Sequence, residues 1–296
     1  MLGHRLALEL GGRPGLTVHA TVRRAVPEAF RPERVEYVEN VEIEAGRAEA
    51  VLHPLLGELC PDVIVNAVGA IKQRDLGSAV ERTFAVNGLL PHLLAVANPN
   101  DRGRVIHVST DCVFKGDLGG YREADVPDAQ DVYGRSKAVG ELDYGRHLTL
   151  RTSIVGFEIV GHLGLLSWFF RQARGAVLRG YRRAVYSGLP TGVLSRLIAD
   201  LAEDPRDLSG LWHVASEPIT KFDLLDRVNR RFDLGHTLQP DDSVTIDRSL
   251  NDDRFRAAMR LPRPTWDALL DDLARDWERW PYAPIYADLR ARGAAA

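Results

Sequence analysis

Of the 296 residues only two are cysteine, Cys60 and Cys112, and they are far apart in the chain. That excludes a disulfide framework and a paired-cysteine zinc site. Aromatic residues make up 7% of the chain, and no apolar run approaches the roughly 20 residues of a membrane span. The start, Met1 to Leu10, carries Arg5 and Glu9 where a secretory leader would be apolar, so the expectation is a cytoplasmic protein. The 38 basic and 41 acidic residues give a net charge of −3 with no one-signed block. Neither nucleic acid nor a membrane is expected as a partner; small-molecule chemistry is. Lysine is scarce too: four, at 72, 115, 137 and 221, against 34 arginines. A lysine in a chemically apt place therefore stands out.

What is present alternates helical and extended patterns. Met1 to Leu10 reads as a helix stopped by Gly11-Gly12, and Leu16 to Val22 as a strand. Arg47 to Leu59 is helical up to Pro61, and Val63 to Val65 is a short apolar strand running into Asn66-Ala67-Val68-Gly69. A long helix is predicted over Ser78 to Ala97, a strand over Arg104 to Val108, a helix over Asp131 to Tyr144 and a strand over Leu148 to Thr152. Apolar strands separated by helices predict a doubly wound parallel sheet, a Rossmann-like α/β fold, over residues 1–150. Beyond 151 the rhythm loosens. Helices near Leu163 to Arg174, from Thr191, from Thr220 to Val228 and from Thr265 to Trp277, with a strand at Leu211 to Val214, predict a smaller mixed α/β part over 151–296 that is mainly substrate-binding. The last residues, Arg290 to Ala296, read as a frayed tail.

Chemistry concentrates at Tyr133-Gly134-Arg135-Ser136-Lys137. In a helix the phenol and the ammonium emerge one turn apart on the same face. A nearby cation favours phenolate, which predicts a lowered tyrosine pKa and a phenol able to give and recover a proton. Eight tyrosines and four lysines would produce roughly 0.1 such spacings by chance, so position matters. The pair follows a strand ending in Ser109-Thr110, where ligands bind in parallel sheets, and the Thr110 hydroxyl can hold a substrate oxygen. The core-packing explanation is preferred for His107 and His213, predicted within strands, and for Trp168, Phe169 and Phe170.

Ser109-Thr110-Asp111-Cys112-Val113-Phe114, Tyr133 to Lys137 with Gly140-Glu141, and Leu150-Arg151-Thr152-Ser153 resemble the extended short-chain dehydrogenase/reductases, most of all the dTDP-4-dehydrorhamnose reductase branch. Tyr186 to Thr191, Leu211 to Ala215, Arg248-Ser249-Leu250, Leu261-Pro262 and Trp266 follow in that branch's order. The resemblance implies NAD(P)H-dependent reduction of a nucleotide-linked 4-keto-6-deoxy sugar in deoxysugar or polysaccharide biosynthesis. It implies a catalytic set of Thr110, Tyr133 and Lys137, with Thr110 and Asp111 at the substrate. Gly3, Gly69, Ala70, Ile71, Val108, Tyr133 and Lys137 would line NADP(H) or NAD(H), and Arg23 would pair with a 2′-phosphate. No metal site is implied, a homodimer is compatible, and Asn87 would bond backbone near the site.

Two departures shape the expectation. Sugar-nucleotide dehydratases of the superfamily carry Glu after Asp where this chain has Cys112, which favours reduction over elimination. The family's first strand and the first two glycines of its phosphate turn have no counterpart, with Gly3 matching the third. That removes the central strand of the sheet. A start downstream of the family's usual one is the preferred explanation, since Thr110, Tyr133 and Lys137 all persist. The alternatives are a non-catalytic regulatory or binding protein of the same fold, and an epimerase that retains its NAD.

Overall fold

The computed structural model describes residues 1–293 apart from 45, 72–79, 161–162 and 205–207, with side chains described up to residue 287. The amino-terminal part runs α1 (Leu2–Gly11), β1 (Val18–Thr21), β2 (Val35–Val38), α2 (Ala48–Leu59), β3 (Val63–Asn66), α3 (Val80–Phe84), α4 (Leu90–Ala97), β4 (Arg104–Val108), α5 (Val132–Val139) and β5 (Leu148–Arg151). Then come β6 (Ile154–Val155), α6 (Leu165–Phe170), β7 (Val177–Tyr181), β8 (Ala184–Tyr186), β9 (Leu189–Pro190), α7 (Thr191–Glu203), β10 (Gly210–His213), β11 (Ile219–Thr220), α8 (Lys221–Arg231), β12 (Thr237–Asp241), β13 (Ile246–Asp247), α9 (Asp253–Met259), α10 (Trp266–Arg279) and α11 (Tyr282–Gly293).

Four strands form a parallel sheet in the order β10-β5-β4-β3. Its central strands are continuous apolar runs: Val105, Ile106, Leu148 and Leu150 are all at 0% exposure, as a sheet covered on both faces requires. The carboxyl-terminal half supplies β10, so the sheet does not stop at residue 150. β1 and β2 also run parallel, but as a separate two-stranded sheet. The four-stranded piece and the β1-β2 piece thus share no ladder among the described residues, as a missing strand between them predicts. Val63, Ile64 and Val65 on β3, the edge of the larger piece, are correspondingly only half-buried.

One apolar cluster extends from Leu2 and Leu6 on α1 through Ile106 and Leu150 to Phe157, Trp266 and Tyr286, so the two halves share a core. α1 packs along α7, and Arg5 reaches Asp276 on α10 at 2.9 Å. The remaining strands pair as β6-β9, β11-β8-β13 and β12-β7.

The structure departs from the sequence reading in three helices. The long helix predicted over Ser78 to Ala97 starts, among the described residues, at Val80, and a π-helical turn over Ala85–Leu89 separates α3 from α4. Its Asn87 side chain bonds the Ala70 backbone, and such wide turns commonly mark functional sites. α5 ends at Val139 with Gly140 as its cap, rather than at Tyr144, and a Cβ at 140 would meet the Asn87 carbonyl oxygen at 2.0 Å, so only glycine permits this close packing. Finally, α10 is followed by α11, whose Tyr282 and Tyr286, spaced i and i+4, bury against Phe157 and Trp277. Arg290 to Gly293 are therefore helical.

Candidate active site

The site gathers at the carboxyl end of β4. Thr110 is the cap of a 3-10 turn over Asp111–Val113, its Oγ1 accepting from the Cys112 N–H at 3.2 Å. Asp131 caps α5 by accepting from the Gly134 N–H at 3.0 Å. α5 then lies directly against the turn. A Cβ at Gly134 would stand 2.3 Å from the Cys112 carbonyl oxygen and 2.4 Å from the Ala129 Cβ, so only glycine permits this approach. The consequence is that Tyr133, on that first helical turn, comes to stand beside Thr110, which acts on its phenol.

Lys137, one turn further on, is 4% exposed and points inward. Its Nζ donates to the Val108 carbonyl oxygen at 2.7 Å and lies 3.2 Å from His107 Nε2. Asn87 joins the loop after β3 to α5: its side chain accepts from the Ala70 N–H at 2.8 Å, donates to the Ala70 carbonyl at 3.0 Å, and donates to Ser136 Oγ at 3.1 Å. Gly69 packs next to the same amide, and Ile71 follows half-buried. Ala70, Val108, Thr110, Tyr133 and Lys137 are thereby tied into one cluster.

Burial dominates its electrostatics. It pushes the Tyr133 phenol above its ordinary range, the Cys112 side chain adds to that, and Thr110 only partly offsets them. This corrects the lowered tyrosine pKa expected from sequence: Lys137 turns toward β4, and burial outweighs any help to the phenolate. Lys137 itself is lowered to about 8 by burial, which the Glu141 charge opposes. Burial raises Asp111 too, against the pull of the Arg248 charge and of bonds from Cys112, Thr110 and Ser153. Cys112 is pushed up to about 12 by burial, reinforced by the Asp111 charge.

Two of the sequence candidates stand apart. Gly3 is exposed in the first turn of α1, with nothing within 4 Å of where a Cβ would sit. Arg23 is exposed in the bend after β1, at the end of the smaller sheet. Cavities of about 380 Å³ beside Arg5 and Asp272 and about 500 Å³ beside Gly116 and Asp247 also lie outside the Tyr133 cluster. Sequence reasoning missed His107, taken for a plain core residue, and Asn66. Their alternation along β3 and β4 matches any buried strand, so only the parallel register that pairs them reveals the contact.

This arrangement can be set beside known proteins. A dTDP-4-dehydrorhamnose reductase of Mycobacterium tuberculosis is 40% identical over 85 residues, which are 27% of this chain and 28% of that protein's length. A probable dTDP-4,6-dihydroxy-2-methyloxan-3-one 4-ketoreductase of Streptomyces antibioticus is 27% identical over 282 residues, 90% of this chain and 93% of the relative. The crystal structure of dTDP-4-dehydrorhamnose reductase from Bacillus anthracis in complex with NADP shares the fold, with a TM-score of 0.70 at 16% identity, over 83% of this chain and 92% of that one. A family model described as the RmlD substrate binding domain matches residues 2–250, and with the Thr110, Tyr133 and Lys137 cluster seated at the end of the parallel sheet, the chain belongs to that family.

Proposed function

We propose that this protein is an NAD(P)H-dependent reductase of a nucleotide-linked 4-keto-6-deoxy sugar, acting in deoxysugar or polysaccharide biosynthesis in the cytoplasm. The observation that carries this reading is the packing of α5 on the turn after Thr110, which sets Tyr133 beside Thr110 with Lys137 buried one turn away at the carboxyl end of β4. The names of the relatives support the reaction class. Among the described residues no helix is long and apolar enough to cross a membrane.

In reduction the acid must be protonated before reaction, and burial keeps Tyr133 a phenol. Tyr133 donates its proton to the carbonyl oxygen, Thr110 holds that oxygen, and Asp111 bonds the sugar. Bound NAD(P)H would supply the hydride to the carbonyl carbon. The residues present fit the nicotinamide end: Lys137, whose Nζ now bonds the Val108 oxygen, would hold a ribose hydroxyl, and Gly69, Ala70, Ile71 and Val108 would form the wall. Gly3 and Arg23, the sequence candidates for the phosphate end, stand apart from this cluster. Elimination is disfavoured, because a Cys112 thiol held near 12 is no base at neutral pH.

The test is loss of NADPH absorbance on adding such a ketosugar, with Tyr133→Phe lowering kcat by about 10²–10⁴. No turnover with any nucleotide-linked ketosugar would refute it. The divided sheet and the open space at Gly3 favour one other reading, a binding protein without turnover. Calorimetry separates the two: micromolar NADPH affinity removes the second.

A further inference from the structure

The parallel register sets Asn66 of β3 directly beside His107 of β4. Both are buried, at 2% and 0% exposure. The Asn66 amide has a fixed orientation, because its Oδ1 accepts from the Val68 N–H at 3.1 Å. Its Nδ2 therefore faces His107 Nδ1, 3.1 Å away, and donates to it. Turning the amide over would point its NH₂ at the Val68 N–H, donor against donor. With Nδ1 an acceptor, a neutral imidazole carries its one proton on Nε2, and Nε2 lies 3.2 Å from Lys137 Nζ. A second imidazole proton is opposed by burial and by the charges of Lys137 and His92. An ammonium at Lys137 thus confronts an N–H, whereas an amine accepts from it while still donating to the Val108 oxygen.

We propose that Asn66 and His107 are positioning residues that set the charge state of Lys137: the asparagine locks the imidazole as its Nε2–H tautomer, and that N–H disfavours the ammonium. The functional meaning rests on the reductase reading, in which Lys137⁺ supports the tyrosinate left after proton transfer; the tautomer lock itself does not. Burial acts in the same direction on Lys137. The other titratable groups around it are Tyr133 on its own helix, Glu141 just beyond and paired with Arg151 of β5, and Asp111 and Cys112 on the turn against α5. On the neighbouring helices stand Glu81 and Arg82 of α3 and His92 of α4. Glu141 alone among these is a source of support for the ammonium.

The chain's lysine scarcity makes the test direct. In the whole protein, labelled with ¹³C and ¹⁵N and free of cofactor, long-range ¹H–¹⁵N spectra report the His107 tautomer. The ¹³Cε signals of four lysines, with Lys137 assigned by its loss in Lys137→Met, report charge against pH. We expect a protonated Nε2, a Lys137 midpoint below that of the other lysines, and a rise of that midpoint by about one pH unit in Asn66→Ala, where the imidazole is free to become an acceptor. The alkaline limit of kcat/KM should rise with it. A protonated Nδ1 in the unmodified protein overturns the proposal, whether or not the variant folds. An unmoved midpoint in folded Asn66→Ala overturns it as well. Absence of ketosugar reduction, with both spectra as expected, would refute the reductase reading and leave the lock standing.

Discussion

Glu141→Gln strikes a buried ion pair next to the site. Glu141 and Arg151 side chains are 8% and 4% exposed and meet in a fork, Arg151 Nε and Nη2 each donating at 2.7 Å to one carboxylate oxygen. Ser109 Oγ adds a third bond at 2.7 Å. Glutamine keeps the shape but loses the charge and turns an NH₂ toward an Arg151 N–H, which leaves a buried guanidinium without its counter-ion. Removing one partner of such a pair costs about 3–5 kcal/mol. Against a total stability of roughly 5–15 kcal/mol, that lowers Tm by roughly 5–8 °C for a chain of this size. The Arg151→Met/Glu141→Gln double variant, having no orphaned charge, should recover much of the loss. Thermal and urea unfolding of the three proteins measures this. A loss below about 1 kcal/mol in Glu141→Gln would mean the pair behaves like an exposed one, and the burial argument would be wrong. The same substitution removes the charge that supports the Lys137 ammonium, so the alkaline limit of activity should move to lower pH.

Gly134→Ala forces a methyl group against the Cys112 carbonyl; we expect a stability loss of about 1–3 kcal/mol by urea unfolding and a larger proportional loss of kcat, since the strain separates Tyr133 from Thr110. Cys60 is exposed and Cys112 is held near 12, so at pH 8 iodoacetamide should label Cys60 first, read by peptide mass spectrometry; equal rates would show Cys112 to be an accessible thiolate. His4 is lowered to about 3 and His213 to about 4, both chiefly by burial. Unfolding lets each take up a proton below its ordinary value near 6.5, so each withdraws about 1.4 kcal/mol per pH unit as pH falls from there toward its folded value. Tm should drop between pH 6.5 and 4.5, and His213→Gln should flatten part of that drop.

The parallel sheet was legible because its strands, Val63 to Val65, Arg104 to Val108 and Leu148 to Arg151, are short apolar runs between helices, a pattern set by burial on two faces. Thr110, Tyr133 and Lys137 were legible for a different reason: helical spacing and a strand end place them before any packing is known. What stayed hidden depends on contacts across the chain. The π-helical turn at Ala85–Leu89 is tied to the Ala70 backbone through Asn87, and α11 exists because Tyr282 and Tyr286 find Phe157. Neither contact leaves a trace in local periodicity.

The misread tyrosine pKa shows the same division at the level of charge. Sequence spacing establishes that Lys137 sits one turn from Tyr133, and a cation there lowers a phenol's pKa only if its charge is directed at the phenol and survives burial. In the folded chain Nζ turns to the Val108 oxygen and His107, while desolvation acts on both groups, raising the phenol and lowering the ammonium. Tyr133 thus rests as a phenol, and Lys137, lowered to about 8, keeps its charge at neutral pH but yields it more readily than an exposed lysine. On the reductase reading, Tyr133 becomes acidic only with cofactor and ketosugar in place. It follows that NADPH binding should itself shift the Lys137 ¹³Cε titration upward, because ribose hydroxyls accept from the ammonium. A titration indifferent to saturating NADPH would show that Lys137 never turns to the cofactor.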